Sequence, residues 1–225
     1  MRLRSLVCML GLVGLAQLGF GGDKARAELL LNFSQTSGSN TITGLKTSDT
    51  GFSITGTDVA ISITQIDPAT ALATPISAYL NLTMNSTAAA GTVGGVVDYQ
   101  NFSGTFTLTS GPGGSGINYL STTALTVSAV GQSGAYNFVL GNLPGGVAFS
   151  SDVFATMPAP QNLSLQLGNV LPGYGLTGNS LSNFSASITG TASAGAVPEP
   201  ASIVAALIGL TILAPMGRRR LTQQG

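Results

Sequence analysis

Between residues 29 and 193 the chain alternates apolar and polar residues with a period of two. In the stretch 58–66, for example, Val59, Ile61 and Ile63 fall on one face and are separated by small or polar residues. This period is typical of antiparallel strands that pack one face on a core. We therefore predict strands at 58–66, 79–84, 102–109, 125–130, 136–140, 147–154, 163–167 and 184–189. Further inward-facing residues are expected to be Leu80, Leu82, Met84, Phe102, Phe106 and Leu108.

Segments rich in glycine and proline separate these stretches, at 111–114, 143–146 and 171–173. Many short strands joined by such turns predict an all-β fold. The expected architecture over residues 28–193 is an antiparallel β-sandwich, jelly-roll-like. The sequence Ser-Ile-Thr-Gly-Thr occurs twice, starting at Ser53 and Ser187, and we interpret the repeat as a coincidence of restricted composition.

The middle of the chain is weakly acidic and poor in reactive side chains. Between residues 28 and 196 one lysine, Lys46, stands against six acidic residues, which leaves a net charge of −5. A polyanion needs clustered lysine or arginine, so nucleic acid is not expected as a partner. The middle also lacks histidine and cysteine, the usual zinc and copper ligands, and no cofactor is expected.

Residues 1–27 are predicted to be a secretory signal peptide that adopts a helix. Two arginines precede an apolar stretch at 6–20, and small residues stand at the positions that signal peptidase reads, Ala25 and Ala27. We expect cleavage before Glu28. An uncleaved N-terminal anchor is the alternative. Lipidation of the single cysteine is disfavoured because that residue lies too near the start of the apolar stretch to leave a signal core before it.

The C-terminus carries three elements in succession. A linker at 194–200 contains a Pro-Glu-Pro motif, an apolar stretch at 201–216 is predicted to be a transmembrane helix, and a basic tail fills 217–225. The motif comprises Val197, Pro198, Glu199, Pro200 and Ala201, and the basic cluster comprises Arg218, Arg219 and Arg220. Prolines keep the preceding residues extended, the form that a protease cleft binds. As a helix the apolar stretch is about 24 Å long, slightly short of a bilayer core of about 30 Å. The arginines are expected to stay in the cytoplasm.

This arrangement resembles the PEP-CTERM sorting signal, in which a Pro-Glu-Pro motif, a transmembrane helix and an arginine-rich tail end the protein. The resemblance covers residues 197–225. It implies that the chain is a substrate of an exosortase-like membrane protease in a Gram-negative bacterium that makes exopolysaccharide. It further implies transient anchoring in the inner membrane, followed by a place on the cell surface or in the extracellular matrix. An ordinary tail anchor after a proline-rich linker is the alternative.

No catalytic arrangement is predicted. Without histidine, paired carboxylates would be the next candidates, and the acidic residues stand singly. Convergence of four of them in space stays open: Asp49, Asp58, Asp67 and Asp98. The stretch 111–116 satisfies G-x-G-x-x-G, but it lies between two predicted strands with no helix after it, so a mobile hairpin loop is expected. A calcium-binding loop pattern is missing from the sequence.

Six N-x-[ST] sequons occur, at Asn32, Asn81, Asn85, Asn101, Asn162 and Asn183. In a bacterium we interpret them mainly as polar strand and turn residues, and glycosylation of surface Ser and Thr stays open.

Three functions follow from these observations. The favoured one is a non-catalytic surface or matrix protein that is hydrated by its Ser, Thr and Asn faces, with signal peptidase, the secretion machinery, the membrane and exopolysaccharide as partners. The second is a carbohydrate-binding or adhesive module. That site would need two of the five tyrosines together on one surface: Tyr79, Tyr99, Tyr119, Tyr136 and Tyr174. The third is a hydrolase with clustered aspartates.

Overall fold

The computed structural model describes residues 28–37 and 40–195. The predicted signal peptide, the Pro-Glu-Pro motif, the apolar stretch and the basic tail lie outside the described residues. Within the two described ranges, the structure contains no helix with the length and hydropathy needed to cross a membrane.

The described residues form antiparallel strands joined by turns, so the predicted all-β, antiparallel class is confirmed. Two short 3-10 turns lie at Pro68–Thr70 and Pro112–Gly114. The strands are β1 Glu28–Gln35, β2 Ile42–Lys46, β3 Phe52–Ile66, β4 Ile76–Ser86, β5 Gly91–Val93, β6 Val97–Thr109, β7 Asn118–Gln132, β8 Asn137–Asn142, β9 Asn162–Leu171, β10 Leu176–Thr177, β11 Ser180–Leu181 and β12 Phe184–Ala194.

The main sheet closes on itself as an eight-stranded barrel. Strand β12 pairs with β9 on one side and with β1 and β2 on the other. Both β1 and β2 also pair with β3, so together they act as one interrupted strand. With β1 and β2 counted as one strand, and β5 and the β10–β11 hairpin set aside, each strand pairs with the next one along the chain. The predicted jelly-roll sandwich fits this sheet only in part, because consecutive strands pair around one closed barrel instead of crossing between two sheets.

Tight contacts between neighbouring strands explain why the sheet curves enough to close. A Cβ at Gly104 would collide with the backbone carbonyl of Thr83 on β4, and one at Gly190 would collide with the ring of Phe33 on β1. The β6–β7 register also shifts between Gly104 and Phe106. Bulges and glycine positions of this kind bend strands and let a sheet turn back on its first strand.

The interior of the barrel is filled with apolar side chains. The residues predicted to face inward on β3, β4 and β6 are confirmed, with exposures between 0 and 2%. A chain of aromatic rings also crosses the interior, with successive centroids 6.2, 5.7, 5.2 and 4.5 Å apart. In order, the rings belong to Phe102, Phe52, Phe184, Phe138 and Tyr174. They tie together β6, β3, β12, β8 and the turn after β9.

The predicted strand at 147–154 is wrong. Its only ladder contact within the described residues is an isolated bridge from Ser150 to Ser121 of β7. The hydroxyl of Ser151 accepts hydrogen bonds from the amides of Val153 and Phe154, which removes those amides from strand pairing. The apolar residues of this segment cover the barrel core instead of alternating across a strand.

The Ser-Ile-Thr-Gly-Thr repeat has a structural counterpart. The two copies lie on β3 and β12, the two strands that flank the interrupted strand β1–β2. Gly56 in the first copy lies against Ile42, and Gly190 in the second lies against Phe33. Each copy therefore leaves room for one large inward side chain of the interrupted strand.

Candidate functional site

Of the residues predicted for signal cleavage and sorting, the structure describes Glu28. This residue is exposed, begins β1 and pairs with Ala194 of β12. The chain therefore enters and leaves the barrel on adjacent strands. We call the end of the barrel with Glu28 and Ala194 the terminal end, and the opposite end the far end. The other cleavage and sorting residues lie outside the described ranges.

The four aspartates considered as a catalytic cluster lie in four parts of the fold. Asp49 is in the turn between β2 and β3, Asp58 is within β3, Asp67 follows β3, and Asp98 is in β6. Among the described residues, no three side chains of His, Cys, Asp or Glu form a group that could hold a metal ion.

Asp58 holds the glycine-rich loop that matches G-x-G-x-x-G. Its Oδ1 accepts hydrogen bonds from the backbone N of Gly113, at 2.6 Å, and from Nδ2 of Asn81, at 3.1 Å. Asp58 has a left-handed backbone with φ of 49° at the point where the β3–β4 register shifts. The loop is a hairpin between β6 and β7, as predicted, but it is fastened to β3 instead of being free.

A buried polar group closes the far end of the barrel. Gln100 is fully buried, and its Nε2 donates to the carbonyls of Thr50, at 3.1 Å, and Ala88, at 3.0 Å. Its Oε1 accepts from the amide of Leu181 at 3.2 Å. One side chain therefore joins the β2–β3 turn, the segment after β4 and the β10–β11 hairpin.

An open hollow of about 590 Å³ lies toward the far end of the barrel, where β9 ends and β12 begins. It is lined by Asn40, Tyr136, Asn169, Leu171 and Ser185. The side chains of Tyr136 and Leu171 are 65% and 55% exposed, so an aromatic and an aliphatic surface face solvent there. The other three lining residues are polar and uncharged.

The walls of the hollow are fixed by hydrogen bonds. Nδ2 of Asn40 donates to the carbonyl of Asn169 at 2.7 Å, and the amide of Val170 donates to the carbonyl of Tyr136 at 3.0 Å. Asn169 has a positive φ of 52°, a left-handed conformation that asparagine adopts more readily than most residues other than glycine.

No protein-family model, curated protein or solved structure matches this chain.

The tyrosines do not gather as the carbohydrate-binding hypothesis required. Tyr119 and Tyr174 are buried, at 6% and 2% exposure, and Tyr79 lies on the outer face of β4 at the terminal end. Tyr99 packs across Gly91 of β5. Tyr136 instead shares its hollow with an exposed leucine and three neutral polar residues. The lining residues come from five separate positions between 40 and 185, so no local sequence signal could have identified the site.

Proposed function

We propose that the chain is an exported, non-catalytic protein of the bacterial cell surface or extracellular matrix. In this proposal signal peptidase removes residues 1–27, and the C-terminal helix holds the protein briefly in the inner membrane. An exosortase-like protease then recognises Pro198, Glu199 and Pro200 and releases or transfers the protein.

The observation that carries the proposal is the position of the two chain ends. β1 begins at Glu28, the residue after the predicted cleavage point, and β12 ends at Ala194, shortly before the motif. Removal of both end segments would therefore cost the barrel none of its strands. Because Glu28 and Ala194 are paired neighbours, both cuts would fall at the same end of the barrel.

The outer face of the barrel supports a hydrated, matrix-associated role. Outward positions on β3 are occupied by Ser53, Thr55, Ser62 and Thr64, and the interior positions between them are apolar. Lys46 is the single lysine or arginine between residues 28 and 195. Such a surface binds water through hydroxyl groups and carries little charge.

A triple alanine variant of Pro198, Glu199 and Pro200 tests the proposal in a host that contains the sorting protease. Wild-type protein is expected to lose its C-terminal segment and leave the membrane, whereas the variant stays full-length and membrane-bound. A matched control replaces Thr222, Gln223 and Gln224 with alanine beyond the basic cluster and is expected to be processed normally. Equal processing of the motif variant and wild type would refute the sorting mechanism.

A second candidate function is carbohydrate binding at the hollow, where the exposed Leu171 beside Tyr136 takes the place of the second tyrosine that the sequence led us to expect.

A further inference from the structure

We propose that the hollow around Tyr136 binds a saccharide unit of an uncharged polysaccharide. This inference concerns the barrel alone and does not depend on how the C-terminus is processed.

The lining of the hollow carries no charged side chain, which favours an uncharged ligand. None of the five lining residues is acidic or basic. A phosphate, sulfate or carboxylate binds most strongly where a Lys or Arg side chain supplies a charge-assisted hydrogen bond, and neither residue lines the hollow. The one lysine of the described residues, Lys46, donates instead to the carbonyl of Thr177 at 3.0 Å. The hollow is therefore suited to a neutral ligand.

The two exposed apolar side chains select a ligand with an apolar face. Tyr136 and Leu171 leave most of their surfaces in water although neighbouring core positions, such as Val170, are fully buried. An aromatic ring combines a large apolar face with a polar hydroxyl and is common where a ligand is partly apolar and partly wet. A pyranose ring has one face of C–H groups and a rim of hydroxyls, which matches this combination.

The polar residues supply hydrogen-bonding groups for such a rim. Nδ2 of Asn40 and Nδ2 of Asn169 are used within the protein, the latter on Oγ of Ser187 at 3.4 Å. Within residues 28–37 and 40–195, nothing donates to Oδ1 of Asn40 or Oδ1 of Asn169. The hydrogen bonds made by Nδ2 fix the two side-chain amides of Asn40 and Asn169. Their Oδ1 atoms remain able to accept hydrogen bonds from ligand hydroxyls.

The hollow also lies where a polymer could reach it. Leu171 pairs with Ser185 near the start of β12, and the terminal end lies at Ala194. Nine residues of a strand span about 30 Å. The hollow therefore lies well away from the terminal end of the barrel.

Affinity electrophoresis of the exported protein in gels that contain a neutral polysaccharide tests the binding. The probes are dextran, hydroxyethylcellulose and galactomannan, with alginate as a polyanionic comparison. At least one neutral polymer is expected to retard the protein, and alginate is expected to have no effect. Lack of retardation by all three neutral polymers, or retardation by alginate alone, would overturn the inference.

Three variants separate a role in the hollow from general effects on the fold. Tyr136→Ala is expected to weaken retardation about tenfold or more, since it removes the exposed ring. Asn169→Gly keeps the left-handed backbone, loses the amide and is expected to weaken binding about fivefold. Tyr79→Ala removes a ring from the terminal end and should bind as wild type does. Unchanged binding by Tyr136→Ala, with thermal unfolding like that of wild type, would contradict the proposal.

Discussion

The hydroxyl of Tyr174 donates a hydrogen bond to the backbone carbonyl of Asp98 at 3.2 Å, inside the far end of the barrel. The ring of Tyr174 also lies 4.5 Å from that of Phe138, centroid to centroid. Burial, and secondly the negative charge of the Asp98 carboxylate, raise the pKa of Tyr174 well above its usual value. The folded barrel therefore holds this phenol in its protonated form.

The barrel is predicted to lose stability at alkaline pH, because the Tyr174 phenol ionises more readily in the unfolded chain than in the folded chain. The pKa of Tyr174 is higher in the folded chain than in the unfolded chain, so the stability that it contributes is complete below about pH 10 and is lost above that pH. Tyr174→Phe should cost about 1 kcal/mol of unfolding free energy at pH 8, from the lost buried hydrogen bond. Above pH 10 the difference should shrink by about 1.4 kcal/mol per pH unit, so that the order inverts near pH 11. Urea titrations of wild type and Tyr174→Phe from pH 8 to 11 measure the difference in unfolding free energy. A difference that stays constant over this range would contradict the raised pKa of Tyr174.

Gln100→Met is predicted to destabilise the far end of the barrel. The change keeps the size of the side chain but removes three hydrogen bonds to buried or partly buried backbone groups, at a cost of about 3 kcal/mol. Gln166→Met on the outer face of β9 is the matched control and should be nearly neutral. Hydrogen exchange should show faster exchange of the Leu181 amide in the Gln100 variant alone. Equal stability of the two variants would show that Gln100 does not hold the hairpin.

Gly104→Ala is predicted to strain the closed sheet. The added methyl group would meet the backbone carbonyl of Thr83, which cannot move without disturbing the β4–β6 pairing. We expect a loss of about 3 kcal/mol in unfolding free energy. Gly141→Ala on β8 is the control, since no atom lies within 4 Å of its added Cβ, and it should change stability by less than about 0.5 kcal/mol. Similar urea midpoints for both variants would contradict the close approach at Gly104.

Asp58→Gly is predicted to free the glycine-rich loop without unfolding the barrel. Glycine tolerates the left-handed backbone at this position, so the change removes mainly the carboxylate that accepts from Gly113. The Gly113 amide should exchange with solvent about ten times faster, because a charge-assisted hydrogen bond is lost. Asp49→Gly removes an exposed carboxylate 3.9 Å from Nζ of Lys46 and should leave that exchange rate unchanged. Protection of Gly113 in the Asp58 variant would show that the loop is held by other contacts.

Local alternation was enough to predict the strands that carry most of the core. Val59, Ile61 and Ile63 face inward as expected, because a strand with one buried face leaves a period of two in its sequence. Alternation gave a wrong prediction at 147–154, because the amides of Val153 and Phe154 donate to the Ser151 hydroxyl instead of to a neighbouring strand. It also missed β1 and β2, since Leu29, Leu30 and Leu31 are consecutive and β2 has only five residues.

The pairing of the strands could not be predicted from the sequence alone. Sandwiches and barrels share the same alternation, and the choice between them depends on whether β12 meets the first strands again. That contact joins segments more than 130 residues apart, such as Gly44 and Phe184. The hollow at Tyr136 was beyond prediction for the same reason.

Intact mass spectrometry of the protein released from the cell surface tests the central claim most directly. In a host that contains the sorting protease, the account predicts a chain that begins at Glu28 and lacks the residues from Ala201 to Gly225. In the same host without the protease, the chain should begin at Glu28 and retain the C-terminal segment in the membrane fraction. A surface protein that keeps Arg218–Arg220 when the protease is present, or that still begins at Met1, would contradict the account.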